Sequence, residues 1–430
     1  MTLTVLSFVG ILLCLLVGGV PVGFAIGLAS LILLNIESRG MADSTIIAQR
    51  LFSGIDSFPL LAVPLFMFTG NLMNIGGITK RIFDFANHLV GHLRLGLGQV
   101  NVVASMIFAG MSGAAVADAS GLGPIEIKAM LDANYDLGYS AAITAASSSI
   151  GPIIPPSIPL VIYGIMAEAS IGRLLLGGIL PGIFIGISLM LMNEFYFARK
   201  LGAERGKFAG WRPLWQSFRR AFWPLMTPVI LVGGILSGIF TPTEAAGVAL
   251  VYAVALSIVY REITLKELLA LSKETMRSTA EVLIIVGAAS AFGYMVVSAQ
   301  LPQMILRTVS SLTMNRWAVL ALINVFLLII GCFMEPVAAI TITVPVMMPL
   351  VRQLGIDPVH FGMVVVYNLV LGLLTPPVGL VLFVTAKIAG LSVEELVKNI
   401  LPFFIPLLLS LLIITYVPGI VTIIPDLLMG

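Results

Sequence analysis

Two stretches hold the residues most able to bind an ion: GMSGAAVADAS at 110–120 and SSSIGPIIPPS at 147–157. Both are rich in Gly, Pro and Ser, yet the sequence around them is apolar enough for a bilayer. Irregular backbone in lipid leaves peptide groups unpaired at a cost of roughly several kcal/mol each, so such breaks survive only against protein, water or a bound ion. The pair returns 221 residues later: Gly331 matches Gly110, Pro345 matches Pro124, Asp357 matches Asp136, Gly372 matches Gly151, and Pro376-Pro377 match Pro155-Pro156. A duplicated pair of broken helices marks a secondary transporter.

Backbone carbonyls and Ser or Thr oxygens with few full charges suit a hard monovalent cation such as sodium, while half-helix N-termini suit an anion. On that chemistry the sodium-binding candidates are Gly110, Ser112, Ser149 and Gly151 in the first pair, and Gly331, Glu335, Val337, Gly372 and Thr375 in the second. Substrate-binding candidates are Asp118, Ser147, Pro155, Thr341, Asn368 and Pro376, with Ser148 and Thr343 in the same neighbourhoods. Structural readings stand beside these. Ser112 could bond back to its own helix, and Asp118 could cap the helix that follows. An intramembrane carboxylate such as Glu335 is expensive, so it is either functional or held neutral or paired. Ser147–Ser149 could serve only as small-residue packing. Met106, Met111 and Met334 read as packing.

The elements that must position these residues fall in two similar halves. Residues 2–18 and 21–36 are short apolar segments hinged at Gly18-Gly19-Val20-Pro21, followed by a polar piece at 37–53 and a span at 57–77. In 78–94, Ile78, Ile82, Phe85, Leu89 and Leu93 recur at helical spacing with Lys80, Arg81, Asp84 and Arg94 off the stripe, which predicts an amphipathic surface helix. The hairpin at 97–132 has arms of about 13–16 residues, about 20–24 Å at 1.5 Å rise, too short to cross comfortably, so it is expected to be re-entrant. A broken span at 139–168, a span at 174–197 and a basic loop at 198–220 complete the half. The second half has spans at 222–240 and 243–260 hinged at Thr241-Pro242, where Pro242 again follows Pro21 by 221. Then come a polar helix at 261–277, a span at 278–298 and a surface helix at 300–316 carrying Leu301, Met304, Ile305, Val309 and Leu312 on one face. A hairpin at 318–350, a broken span at 359–389 and a last span at 400–425 close the chain.

Composition agrees with a membrane solvent. Of 430 residues 59% are hydrophobic and 10% charged, with mean hydropathy +1.09; a soluble chain carries about 25% charged residues. The expected fold class is therefore an all-α polytopic membrane protein. Cys14 and Cys332 lie far apart in apolar runs, and His88, His92 and His360 make no metal-ligand spacing. No signal-peptide cleavage pattern, phosphate loop, nucleophile elbow or nucleic-acid patch is present, and the glycines of GHLRLGLGQV (91–100) lack the strand and acidic partner of a nucleotide site. Five spans per half would carry the chain to the opposite face, which makes the repeat inverted. With both termini periplasmic, 17 of 23 Lys and Arg fall inside, and only Arg39, Arg50, Arg173, Arg307, Arg316 and Arg352 fall outside. The positive-inside rule favours that orientation.

The strings FMFTGNLM (66–73), AGMSGAAVADASGLGPI (109–125), ASSSIGPIIPPSIPLVIYG (146–164), GIFTPTEAAGVA (238–249) and TPPVGLVLF (375–383) resemble the large, DctM-like membrane subunit of tripartite ATP-independent periplasmic (TRAP) transporters. The resemblance runs over essentially the whole chain. It implies a sodium-coupled importer of a small organic acid, with Na+ as coupling ion, no organic cofactor and no enzymatic step. It also implies an elevator motion of a transport domain (97–168 and 318–389) against a scaffold (1–95 and 174–316), with 390–430 as a final span. Sodium sites are implied between each hairpin tip and its neighbouring broken span. The implied partners are a separate small four-helix membrane subunit and a periplasmic substrate-binding protein, in a bacterial inner membrane. A stand-alone sodium–carboxylate symporter of related inverted-repeat fold is the rival reading. A polytopic membrane enzyme would need a catalytic dyad at one depth, and the duplication argues against it.

Overall fold

The computed structural model describes residues 10–12, 14–15, 18–37, 45–74, 76–200, 202, 204–298, 300, 303–304 and 313–429. The expected span at 2–18 lies mostly outside these, as does most of the surface helix at 300–316, including Leu301, Ile305, Val309 and Leu312. Among the described residues the chain is helical without a named strand. Its surface carries large apolar side chains such as Ile187, Leu191, Val229, Val251 and Leu409, whereas Asn101, Asp118, Glu126, Ser147, Asn324 and Asn368 are buried. A polar interior under an apolar skin is the arrangement a lipid solvent selects. Among the described residues five helices are long and apolar enough to cross a membrane, and a bent pair adds a sixth if read as one span.

The first half comprises α1 (Val22–Glu37), α2 (Thr45–Ile55), α3 (Ala62–Met73), α4 (Gly76–Val90), α5 (Gly96–Ser112), α6 (Ala115–Gly121), α7 (Gly123–Asp132), α8 (Leu137–Ser148), α9 (Ile158–Ala167), α10 (Ile171–Gly177) and α11 (Ile179–Met192). The second comprises α12 (Trp211–Leu236), α13 (Pro242–Val259), α14 (Leu265–Ser298), α15 (Arg316–Gly331), α16 (Pro336–Gln353), α17 (Pro358–Gly372), α18 (Leu380–Ala389), α19 (Val393–Ile400), α20 (Phe404–Tyr416) and α21 (Gly419–Met429). The 221-residue register sets helix starts. Asp136 caps α8 by accepting from the Tyr139 amide at 2.8 Å, and Asp357 caps α17 by accepting from Val359 and His360 at 2.7 and 3.0 Å. In TPTEAAG, Thr241 and Glu244 form a reciprocal capping box at the start of α13.

The hairpins are α5 with α6–α7, and α15 with α16; the broken spans are α8/α9 and α17/α18. The two halves interlock. Helix α9 of the first broken span packs on α16 of the second hairpin, and α18 of the second broken span packs on α6 and α7 of the first. Arg352 at the end of α16 donates to the Ala167 carbonyl at 3.1 Å, and the Tyr163 hydroxyl of α9 donates to the Pro358 carbonyl at 2.7 Å.

Five expectations need correction. The span at 57–77 is the second arm of a helix pair, Thr45–Ile55 with Phe58–Met73, bent by 59°. Pro59 cannot donate and disfavours helix at Phe58. The polar helix at 261–277 and the span at 278–298 are instead one 34-residue helix, α14, because nothing of that kind interrupts it. The basic loop is shorter than 198–220, since Arg199 and Lys200 end one helix while Arg212, Arg219 and Arg220 ride on α12. The last span runs Val393–Tyr416, and Pro418 separates it from α21. On α4 the buried face turns toward Thr79, Phe83 and Ala86 beside Ile78 and Ile82, leaving Leu89 exposed and Leu93 beyond the helix end. That rotation follows from packing on α5 and α12, where Phe85 meets the Phe218 ring at 5.7 Å.

At one close approach only glycine fits: a methyl on Gly331 would stand 3.2 Å from the Gly372 Cα, and one on Gly372 would fall on the Gly331 backbone. Gly372→Ala should therefore cost about 1–3 kcal/mol through overpacking. Gly233→Ala, with nothing within 4 Å of the new methyl, should stabilise α12 by about 0.5–1 kcal/mol. Thermal unfolding of both purified variants checks this; equal shifts would refute the packing argument.

Candidate functional site

Each hairpin tip meets the break of its own half. At the first junction α5 ends at Gly113, whose φ of +67° is a left-handed conformation suited to glycine. The Gly113 carbonyl accepts from the Ile158 amide at 3.3 Å, tying the tip to the start of α9. Ser112, 2% exposed, donates its hydroxyl to Asp118 Oδ1. Asp118 Oδ2 is buried without a hydrogen-bond partner, and it lies where a side chain on Gly151 would have to go. Ser112 thus does not bond back to its helix, and Asp118, inside α6, does not cap it: the cap position is Ala114.

The second junction has the same backbone plan. The Val378 amide donates to the Cys332 carbonyl at 3.2 Å, and Gly331 and Gly372 touch. The Thr375 hydroxyl donates to the Gly372 carbonyl at 2.9 Å and lies 3.1 Å from Cys332 Sγ. Glu335, part-buried, caps α16 by accepting from the Ala338 amide at 3.3 Å, with Val337 buried in the first turn. Pro155-Pro156 and Pro376-Pro377 are both cis.

Ser112, Asp118 and Gly151 therefore come together, as do Gly331, Gly372, Thr375 and the tip residue Cys332. A methyl on Gly110 would meet Pro228 of α12, outside both broken spans, at 2.8 Å, and would lie 3.9 Å from the Pro155 carbonyl of the first break. Other candidate side chains are engaged with their own helix or a neighbouring one. Ser148 and Ser149 donate to the Ala145 and Ala146 carbonyls of their own helix at 2.8 and 2.7 Å. Thr341 and Thr343 do the same on α16, to Ala338 and Ala339, at 2.8 Å each. Asn368 donates to Asn324 of α15 at 2.9 Å. Ser147 joins a buried network in which it donates to Asn101 Oδ1 at 2.7 Å. Sequence reasoning missed Asn101, Cys332 and Glu126. Glu126 carried the same warning as Glu335, a carboxylate in an apolar hairpin arm, but was passed over as part of the arm rather than its tip.

The donors at both junctions are oxygen atoms, carbonyl, hydroxyl and carboxylate, which suit a hard cation. Among the described residues no three His, Cys, Asp or Glu side chains gather as a metal cluster.

A family model described as "Tripartite ATP-independent periplasmic transporter, DctM component" matches residues 9–420. The chain belongs to this family. It is 44% identical to the sialic acid TRAP transporter large permease protein SiaM of Vibrio cholerae over 97% of both chains. It is 38% identical to the C4-dicarboxylate TRAP transporter large permease protein DctM of Pseudomonas aeruginosa, over 88% of this chain and 89% of that one. The solved YdaH transporter of Alcanivorax borkumensis shares the fold, with TM-score 0.61 over 85% of this chain and 86% of that one at 16% identity. The protein is thus a multi-pass TRAP large permease subunit and not an enzyme.

The hydrogen bonds separate two kinds of serine in this TRAP subunit. Ser147→Ala leaves Asn101 Oδ1 without its donor and should cost about 1–3 kcal/mol. Ser149→Ala removes only a bond to its own helix and should stay within about 0.5 kcal/mol. Thermal unfolding in potassium buffer measures both, and equal losses would contradict the assignment.

Proposed function

We propose that this subunit imports a small organic acid across a bacterial inner membrane, driven by sodium and moving by an elevator mechanism. The observation that carries the reading is the pairing of each hairpin tip with its own break through oxygen donors: Ser112, Asp118 and the Gly151 backbone at one, and Thr375 with the Gly331 and Gly372 backbones at the other. These groups would hold the cations. Asp118, assigned to substrate on sequence grounds, fits a cation better, since its buried Oδ2 has no donor. The transport domain on this reading is 97–168 with 318–389, and the scaffold is the rest, the final span at 390–430 apart. Both termini face the periplasm.

Relatives at similar identity are named for different substrates: sialic acid, isethionate, 2,3-diketo-L-gulonate and C4-dicarboxylates. Each is an acid anion, and half-helix ends at the breaks offer an anion unpaired amides. A periplasmic binding protein would deliver the substrate, and a small membrane subunit would brace the scaffold.

Thermal unfolding of the chain, with its small subunit, should show a midpoint higher in sodium than in potassium at equal ionic strength. A ligand at a hundredfold excess over its Kd stabilises by about 2.7 kcal/mol. Ser112→Ala and Thr375→Val should each shrink that difference. Identical midpoints in the two salts for the unmutated protein would remove sodium coupling from the reading. Uptake into vesicles that appears only with the binding protein excludes a stand-alone symporter.

A further inference from the structure

Glu126 on α7 is 1% exposed, and neither of its carboxylate oxygens makes a hydrogen bond. Asp118, eight residues earlier, lies within electrostatic reach, and Thr144 of α8 stands beside Glu126 short of hydrogen-bond geometry. Behind Thr144 a relay of donors runs one way. The Ser105 hydroxyl donates to Ser147 at 3.0 Å, Ser147 to Asn101 Oδ1 at 2.7 Å, and Asn101 Nδ2 to Thr144 Oγ1 at 2.7 Å. With its oxygen already accepting, the Thr144 hydroxyl has its proton free for the carboxylate. From the other repeat, α18 packs across this place, and its Ile388 lies 3.6 Å from where a Gly123 methyl would sit. Thr385, one turn before Ile388, is fully buried and its hydroxyl also has no partner.

Among the described residues no ion pair reaches these groups. Lys128 and Lys387, the basic residues on α7 and α18, are exposed, and the ion pairs of the described residues involve Arg81, Arg173, Arg205, Arg277 and Arg352 instead. A buried carboxylate at membrane depth needs a counter-charge, and buried polar atoms without partners call for an ion or water. One proton would satisfy a single oxygen. A cation with several oxygen ligands satisfies Glu126 Oε1 and Oε2 and the Thr144 hydroxyl together, beside the negative field of Asp118.

We propose that Glu126, with the Thr144 hydroxyl, forms an inner site for one sodium ion between α7 and α8, beyond the two tip-to-break junctions. The proposal rests on the sodium coupling proposed above. It places part of the coupling charge inside the hairpin arm, where the two repeats interlock.

The test compares the unmutated full chain, in complex with its small subunit, with Glu126→Gln. Equilibrium binding of radioactive sodium and the sodium dependence of the unfolding midpoint are read at constant ionic strength. Gln keeps the shape, so Glu126→Gln should fold as well in potassium, bind one sodium fewer and need at least tenfold more sodium for half its stabilisation. Unchanged stoichiometry and sodium response in Glu126→Gln, whatever its pH dependence, would overturn the site while leaving the coupling intact. Absence of sodium binding by the unmutated protein would overturn both readings. Should Glu126→Gln fail to fold, Thr144→Val carries the same test: a severalfold weaker sodium response supports the site, and an unchanged response overturns it.

Discussion

Every peptide group that leaves a helix inside a bilayer must find a partner, and this constraint shapes the molecule. The two tips and two breaks answer it by covering one another. Ile158 donates to Gly113 and Val378 to Cys332, so each tip closes an open end of its neighbouring break. The approach is close enough that Gly331 and Gly372 meet backbone to backbone. Residues that would be surface turns in a soluble protein, such as Ser149 and Gly151, are therefore among the most deeply buried.

The covering is local to each half, but stability is shared between halves. Because α9 rests on the second hairpin and α18 on the first, neither repeat can bury its broken span alone. Arg352 bonded to Ala167, and Tyr163 bonded to the Pro358 carbonyl, fasten the exchange at its ends. A displacement of one junction must then carry the other. An elevator motion needs such a unit to slide as one body, and Gly110 against Pro228 is one place where the first tip touches a helix outside it.

Much of this was legible in the residues. The 221-residue register fixed both hairpins and both broken spans, because Gly, Pro and capping Asp act through local backbone chemistry that one chain displays directly. Asp136 and Asp357, matched by that register, cap corresponding helices. What the sequence hid was long-range. The bend before α3 and the unbroken α14 differ although both follow the same plan, since Pro59 has no proline at the matching position, Ala280. The buried face of α4 depended on which helices it would meet. At the site, the spacing indicated where oxygen donors would gather but not which hydroxyls would turn back onto their own helices, as those of Ser149 and Thr341 do. The interlock of α9 and α18 leaves no mark in hydropathy, because both helices are predominantly apolar and hydropathy does not say which neighbour an apolar face will meet.

The register also shows where the two halves part. Positions that shape backbone repeat, the capping Asp136 and Asp357 among them, whereas the polar and charged side chains of the tips and breaks do not. Ser112 is matched by Phe333, Asp118 by Ala339 and Glu126 by Met347, while Glu335 is matched by Ala114 and Thr375 by Ile154. The first half therefore has two buried carboxylates, Asp118 at the junction and Glu126 in the hairpin arm, and neither is in an ion pair among the described residues. The second junction has one carboxylate, and that one is turned onto the first-turn amide of α16. Within one duplicated fold the field is uneven: a cation gains most in the first half, and an anion meets least repulsion at the second. Duplication supplied two equivalent tip-to-break junctions in the backbone, and divergence of a few side chains made them electrostatically different, as the proposed transport of unlike charges would require.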